Sequence, residues 1–196
     1  SCTVYINGLR AFRHRGGYLP FEFDATGFLS RDVNEISLSV RDLSDTSYHS
    51  RGKQRLKRGG IWYTPQSGIW QTVWAECIPH DCIRQLHITP DFDKACVNVR
   101  ADTVGDSRAY AEFDGRQYQL PASIPVPDFE PWSPENPKLY DFTVTCGEDR
   151  VESYFAMRKF SVEADSEGVK RLFLNGRPYF HNGLLDQGYW SDGMYT

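Results

Sequence analysis

Apolar residues in this chain recur at every second position over short stretches, and each stretch is cut off by a turn dipeptide such as Asn7-Gly8, Asp114-Gly115 or Asn175-Gly176. A period of two puts alternate side chains on one face of an extended strand. Asn-Gly and Asp-Gly supply the two left-handed residues that a tight hairpin requires. No helical period of useful length competes with this pattern, so the chain is expected to be all-β.

The pattern repeats along the chain. Val4 and Ile6 alternate before Asn7-Gly8; Gly16-Gly17 marks a second change of direction, and Pro20, Phe21 and Phe23 are expected to begin another strand. In "NEISLSVRD", Ile36, Leu38 and Val40 alternate with polar neighbours, which predicts one buried and one wet face. "IWYTPQSGIWQTVWAE" predicts two aromatic-rich strands around Pro65 and Gly68. Its rings, Trp62, Tyr63, Trp70 and Trp74, suit either core packing or stacking on a pyranose. A boundary is expected near Pro79 to Ile83, where the pattern restarts. Ile83, Leu86 and Ile88 alternate imperfectly; Ala95, Val97 and Val99 do so cleanly. Turns at intervals of about ten residues then predict a second β-sandwich. The proline-rich passage Pro121 to Pro137 suits a loop or sheet edge. Leu172 to Leu174 and Pro178 to Phe180 predict a hairpin around Asn175-Gly176, followed by the short apolar run Gly183 to Leu185.

Composition excludes several functions. Lys and Arg total 22 against 26 Asp and Glu, a formal net charge of −4 that gives no reason to expect a nucleic-acid partner. The basic run Arg51, Lys53, Arg55, Lys57, Arg58 is the local exception and reads as an exposed loop, with a contribution to an anionic sugar or phosphate site as the alternative. No apolar stretch reaches the length of about 18 residues needed to cross a membrane as a helix. Cys2, Cys77, Cys82, Cys96 and Cys146 form no zinc-type spacing and read as buried free thiols, a Cys77–Cys82 bridge being the alternative. A cytoplasmic location is expected on that ground; because the chain starts at Ser1, periplasmic or secreted placement stays open.

The motifs "VYINGLRAFRHRGGYLPFEFD", "TPQSGIWQTVW", "WSPENPKLY", "SYFAMRKF" and "FLNGRPYFHNGLLDQGYWSDGMYT" occur in an order that resembles glycoside hydrolase family 2, the β-galactosidases, β-glucuronidases and β-mannosidases. The resemblance covers nearly the whole chain. It implies that residues 1–80 are the later part of a galactose-binding-like jelly roll, 81–162 an immunoglobulin-like β-sandwich, and 163–196 the first hairpin and strand of a (β/α)₈ barrel. It further implies a retaining β-glycosidase, β-galactosidase-like first, whose two glutamates lie on later barrel strands. No catalytic residue is therefore expected within this chain. Glu163 and Glu167 read as an exposed linker, and the chain alone is expected to be inactive.

Sugar-contacting residues implied by the resemblance are Asp186 and Gln187, for hydroxyl groups, and Tyr189 and Trp190, as pocket walls. Many family galactosidases supply an aspartate just before the Ser-Gly-Ile motif. Here that loop, "GGIWYTPQ", has no carboxylate, so the resemblance leaves two alternatives: the site residue is missing, or Trp62 or Tyr63 replaces it. At 181–187 the glycine of the family's arginine-glycine-valine-asparagine-arginine-histidine run is kept as Gly183 and the polar residues are not, so galactoside specificity does not follow from this stretch. Ser191 likewise replaces a proline. His14 with Gly16 and Gly17 fits the family's His-x-Gly-Gly-Tyr pattern and reads as a hydrogen-bonded structural histidine. The chain shows no metal-ligand cluster, although a divalent metal is used by some members. The expected partners are a β-linked carbohydrate, the rest of the barrel, and copies of itself in a homo-oligomer. Two other readings are a non-catalytic carbohydrate-binding or structural module and a tandem-sandwich adhesion protein.

Overall fold

A computed structural model describes residues 1–185 as an all-β chain with one turn of 3-10 helix at Thr26–Phe28. It divides into two compact units, one holding Ser1–Trp74 and the other Ala75–Leu184.

In the first unit β1 (Cys2–Ile6) lies between β2 (Leu9–His14) and β3 (Ile36–Val40), all antiparallel. Asn7 and Gly8 sit at φ 51° and 77°, the doubly left-handed turn their types predict. The Asn7 amide also fixes the turn: Nδ2 donates to Phe28 O and Asn34 Oδ1, and Oδ1 accepts the Glu35 N–H. Cys2, Val4 and Ile6 are buried. Their register partners Val40, Leu38 and Ile36 share that sheet face but stay 40–54% exposed. The expected alternation on β3 is present, yet its apolar side is not buried, because alternation defines a face without fixing what covers it.

Residues 20–23 form no strand. Phe21 and Phe23 instead lay their rings on Phe12, at centroid distances of 5.6 and 5.2 Å, and Phe21 also stacks on His14 at 4.7 Å. Ring burial rather than a hydrogen-bonded ladder positions this segment. Nor do two strands form at 61–76; single bridges, Gln54 with Tyr63 and Gly59 with Trp62, replace them.

The second unit is a two-layer sandwich. One sheet orders β4 (Cys82–Asp91), β5 (Cys96–Val104) and β8 (Ala122–Pro125); the other orders β10 (Asp149–Phe155), β9 (Tyr140–Cys146), β6 (Ala109–Phe113) and β7 (Arg116–Gln119). Between them Val97, Val99 and Ile124 meet Ala111, Phe142, Val144, Cys146 and Phe155. The imperfect spacing of Ile83 and Leu86 has a local cause, a register shift between Ile83 and Gln85 that makes a bulge. Asp114 and Gly115, at φ 49° and 68°, close the β6–β7 hairpin. The proline-rich passage supplies only β8, which bonds to β5 alone and so occupies a sheet edge.

A third sheet orders β11 (Phe160–Ala164), β12 (Lys170–Leu174) and β13 (Arg177–Pro178). Asn175-Gly176, at φ 52° and 75°, makes the expected turn. The returning strand is shorter than expected, and residues 183–185 pair with nothing among the described residues; Leu184 and Leu185 are exposed. All five cysteines are free. Four are buried as expected, whereas Cys77 lies exposed in an irregular segment and no Cys77–Cys82 bridge forms.

Asp81 ties the segment entering β4 to the β5–β6 connection. Its carboxylate accepts hydrogen bonds from Ser107 Oγ and from Asp106 N, and it meets His80 Nδ1 at 2.8 Å. The Ser107 hydroxyl first, and His80 second, hold the Asp81 pKa down to about 2. Lowering relative to the unfolded chain means that the contribution is full above the ordinary carboxylate value near 3.8 and is lost as pH falls through about 2. Carboxyl NMR is expected to show Asp81 titrating near 2 and, in Ser107→Ala, moving back up; a normal Asp81 titration in the native chain would contradict the network.

Candidate functional site: an aromatic and basic loop surface

Loop 51–64 of the first unit folds back on itself. Arg55 N donates to Tyr63 O and Tyr63 N to Lys53 O, at 3.0 and 2.9 Å, and Gly59 and Trp62 exchange backbone hydrogen bonds at 3.3 and 3.1 Å. Gly59 and Gly60, at φ 137° and 58°, permit this reversal. The fold-back sets the Arg55 guanidinium over the Trp62 ring, 3.9 Å from its centroid. Gln54 fastens the loop at both sides, donating to Arg51 O and accepting from Gln66 N. Arg58 donates to Thr64 Oγ1 at 3.2 Å.

Neighbouring segments are held by their own polar contacts. Ser67 Oγ donates to Asp42 Oδ2 at 2.6 Å, and His49 Nε2 stands 3.6 Å from Asp42 Oδ1. Burial pushes the Asp42 carboxyl up, but the bonds from Ser67 and Ser44 together with His49 outweigh it and hold the carboxyl below its ordinary value. Asp45 Oδ2 accepts the Leu56 N–H. Both loop carboxylates therefore serve to fix backbone. Tyr18 donates to Ser50 O, and Trp70 Nε1 to Gly17 O, at 2.8 Å each. The glycine pair Gly16-Gly17 thus anchors the indole that follows the Ser-Gly-Ile motif.

Of the residues expected to touch sugar, Trp62 and Tyr63 lie together here, both half-buried. Asp186, Gln187, Tyr189 and Trp190 lie outside the described residues. Trp74 is 70% exposed and belongs to no core. His14 departs from the expected hydrogen-bonded histidine: its ring stacks on Phe21, and Nε2 is buried without a hydrogen-bond partner among the described residues. Sequence reading takes the basic run as an exposed loop, with an anionic sugar or phosphate site as the alternative, and does not single out Arg55 within it; the signal available is a cation at every second position beside an aromatic pair. Among the described residues no three His, Cys, Asp or Glu side chains gather as a metal site, so no step is assigned to a divalent ion.

The surface therefore combines an aromatic pair with a cationic loop, and the described carboxylates beside it, Asp42 and Asp45, are engaged in hydrogen bonds. Residues 106–158 match the model of glycosyl hydrolases family 2. The chain is 22% identical over 94% of its length to a β-galactosidase of Streptococcus thermophilus, and 26% identical over 92% to one of Photobacterium profundum. In solved structures, a β-glucuronidase from Ruminococcus gnavus in complex with D-glucuronic acid superposes on 93% of the chain with a TM-score of 0.73 at 20% identity. The chain spans only 19% and 20% of the two galactosidases and 35% of the glucuronidase chain. The match to the family model lies within the sandwich of the second unit, and the all-β fold of the chain is the one it shares with the solved glucuronidase.

Proposed function

We propose that this chain is the non-catalytic, sugar-facing part of a retaining β-glycosidase acting on terminal β-linked sugars, with β-galactosides as the first candidates. The observation that carries the reading is the continuous similarity to β-galactosidases over more than nine-tenths of the chain. In this reading residues 1–80 are part of a jelly roll, 81–162 an immunoglobulin-like sandwich and 163–196 the start of a (β/α)₈ barrel. The remainder of that barrel is the chain's principal partner.

Retaining hydrolysis needs one carboxylic acid to protonate the leaving oxygen and a second carboxylate about 5 Å away to attack the anomeric carbon. The two glutamates nearest the proposed barrel do not suit either role. Glu163, on β11, accepts the Ser161 hydroxyl at 2.5 Å, and Glu167 lies in a turn where its N–H donates to Asp165. Both are exposed and hold local structure. The catalytic pair is therefore assigned to later barrel strands. Asp186 and Gln187 would contact sugar hydroxyls, Tyr189 and Trp190 would wall the pocket, and Trp62 with Tyr63 would supply aromatic surface from the first unit.

A second reading, a carbohydrate-binding module without catalysis, is favoured by the folded aromatic loop and its committed carboxylates. The two readings separate on turnover. With p-nitrophenyl β-galactoside, β-glucuronide and β-mannoside, residues 1–196 alone are expected to release no product above background, while the full-length gene product hydrolyses at least one. A full-length product that binds these sugars and turns over none would leave the module reading.

A further inference from the structure

Asparagine precedes glycine three times in the chain, at Asn7-Gly8, Asn175-Gly176 and Asn182-Gly183, and the third pair is held differently from the other two. The Asn7 side chain is fixed at both ends: Nδ2 donates to Phe28 O and Asn34 Oδ1 at 3.0 and 2.8 Å, and Oδ1 accepts the Glu35 N–H at 3.0 Å. Asn175 is held in the same manner, Oδ1 accepting the Lys159 N–H and Nδ2 donating to Trp132 O, each at 2.9 Å. Both residues also sit in the left-handed turn of a hairpin, at φ 51° and 52°. Asn182 is exposed beyond β13 in a segment without regular structure. Its backbone N–H donates to Phe180 O at 3.0 Å, while its side-chain amide makes no hydrogen bond among the described residues. Gly183 is exposed as well, and a Cβ built on it would meet nothing within 4 Å. The amide and the next backbone nitrogen are therefore at liberty to approach each other.

We propose that Asn182 is a site of spontaneous deamidation, with water as the co-reactant. The Gly183 nitrogen, having given up its proton, attacks Asn182 Cγ. The new N–Cγ bond closes a succinimide ring while the Cγ–Nδ2 bond breaks, and the amide nitrogen leaves with a proton as ammonia. Water then opens the ring at either carbonyl. Cleavage of the bond between the Gly183 nitrogen and Cγ leaves aspartate; cleavage of its bond to the Asn182 main-chain carbonyl carbon leaves isoaspartate, with the chain running through the former side chain. No electrons are exchanged: one water is taken up and one ammonia is lost. Glycine favours the attack because it has no Cβ to obstruct the nitrogen. The same dipeptide is protected at Asn7 and Asn175, where ring closure must first break the side-chain hydrogen bonds and unmake the turn. The product places a negative charge just beyond β13 and, in isoaspartate, an extra methylene in the main chain. None of this chemistry depends on the glycosidase reading.

The test is incubation of the 196-residue chain in mildly alkaline buffer, followed by peptide mass spectrometry. The peptide carrying Asn182 is expected to gain the mass difference between a carboxylic acid and an amide about tenfold faster than those carrying Asn7 and Asn175, because the hydrogen bonds at the locked sites must open first. In concentrated guanidinium chloride that difference should collapse, since the locks are gone and the shared dipeptide remains. Asn182→Gln should remove the more acidic form that ion exchange resolves from the parent. Gly183→Ala, at a position with room for a Cβ, should slow conversion at Asn182 and leave Asn7 and Asn175 as they were. Three results overturn the proposal: Asn7 or Asn175 converting as fast as Asn182 in the folded chain, Asn182 staying intact while folded, or a rate difference that persists undiminished in guanidinium chloride.

Discussion

Replacing Phe155 with alanine is expected to lower the unfolding free energy of the sandwich by about 3–5 kcal/mol, the range for truncating a buried phenylalanine. Phe155 closes β10 and is buried at the centre of an aromatic group. Its ring lies 5.4 Å from Phe113, 5.5 Å from Tyr140 in a stacked arrangement, and 5.9 Å from Phe142 at a steep angle. These rings come from β6, β9 and β10, so the alanine cavity would open where the four-stranded sheet packs on its partner. Phe155→Leu keeps most of the volume and is expected to cost about half as much. Urea unfolding followed by far-ultraviolet circular dichroism measures both. An alanine variant within about 1 kcal/mol of the parent would mean that this cluster does not organise the core.

Gly105→Ala is expected to cost about 3 kcal/mol, for two independent reasons. Gly105 has φ +84°, a conformation that side-chain-bearing residues rarely adopt. A Cβ at this position would also overlap Asp81 Oδ1 and lie 3.0 Å from Asp81 Cα. The carboxylate could swing away only by giving up Ser107 and the Asp106 N–H. The double variant Asp81→Ala, Gly105→Ala separates the causes. Removing the carboxylate relieves the side-chain clash, leaving the backbone strain and the close approach to Asp81 Cα. The two substitutions should therefore be less costly together than the sum of their separate effects, by about 1 kcal/mol or more. Strict additivity would show that Asp81 and Gly105 do not meet as described.

The hairpins were legible because their chemistry is local. Asn7-Gly8, Asp114-Gly115 and Asn175-Gly176 each need two left-handed residues, and few dipeptides supply them. Val97 and Val99 announced the sandwich core by their period of two. The same period misled at Phe21 and Phe23, where spacing alone cannot distinguish a strand from rings laid on Phe12 and His14. It misled again around Pro65, where the aromatic residues line a loop closed by isolated bridges. Burial of Ile36, Leu38 and Val40 could not be read either, because alternation defines a face without saying what covers it. At the candidate site, Trp62 and Tyr63 were visible as types. The role of Arg55 depends on a fold-back that brings residues 55 and 62 together through backbone hydrogen bonds, and no pattern of side chains encodes that contact directly.

If these sandwiches serve a β-glycosidase whose cutting residues lie elsewhere, proton NMR of the anomeric product will show it. The full-length gene product and residues 1–196 would each be incubated with p-nitrophenyl β-galactoside, β-glucuronide and β-mannoside. The account predicts that the full-length product cleaves at least one of these and releases the β anomer first, as retention requires, while residues 1–196 release nothing. Cleavage by residues 1–196 alone, or first release of the α anomer by the full-length product, would contradict it.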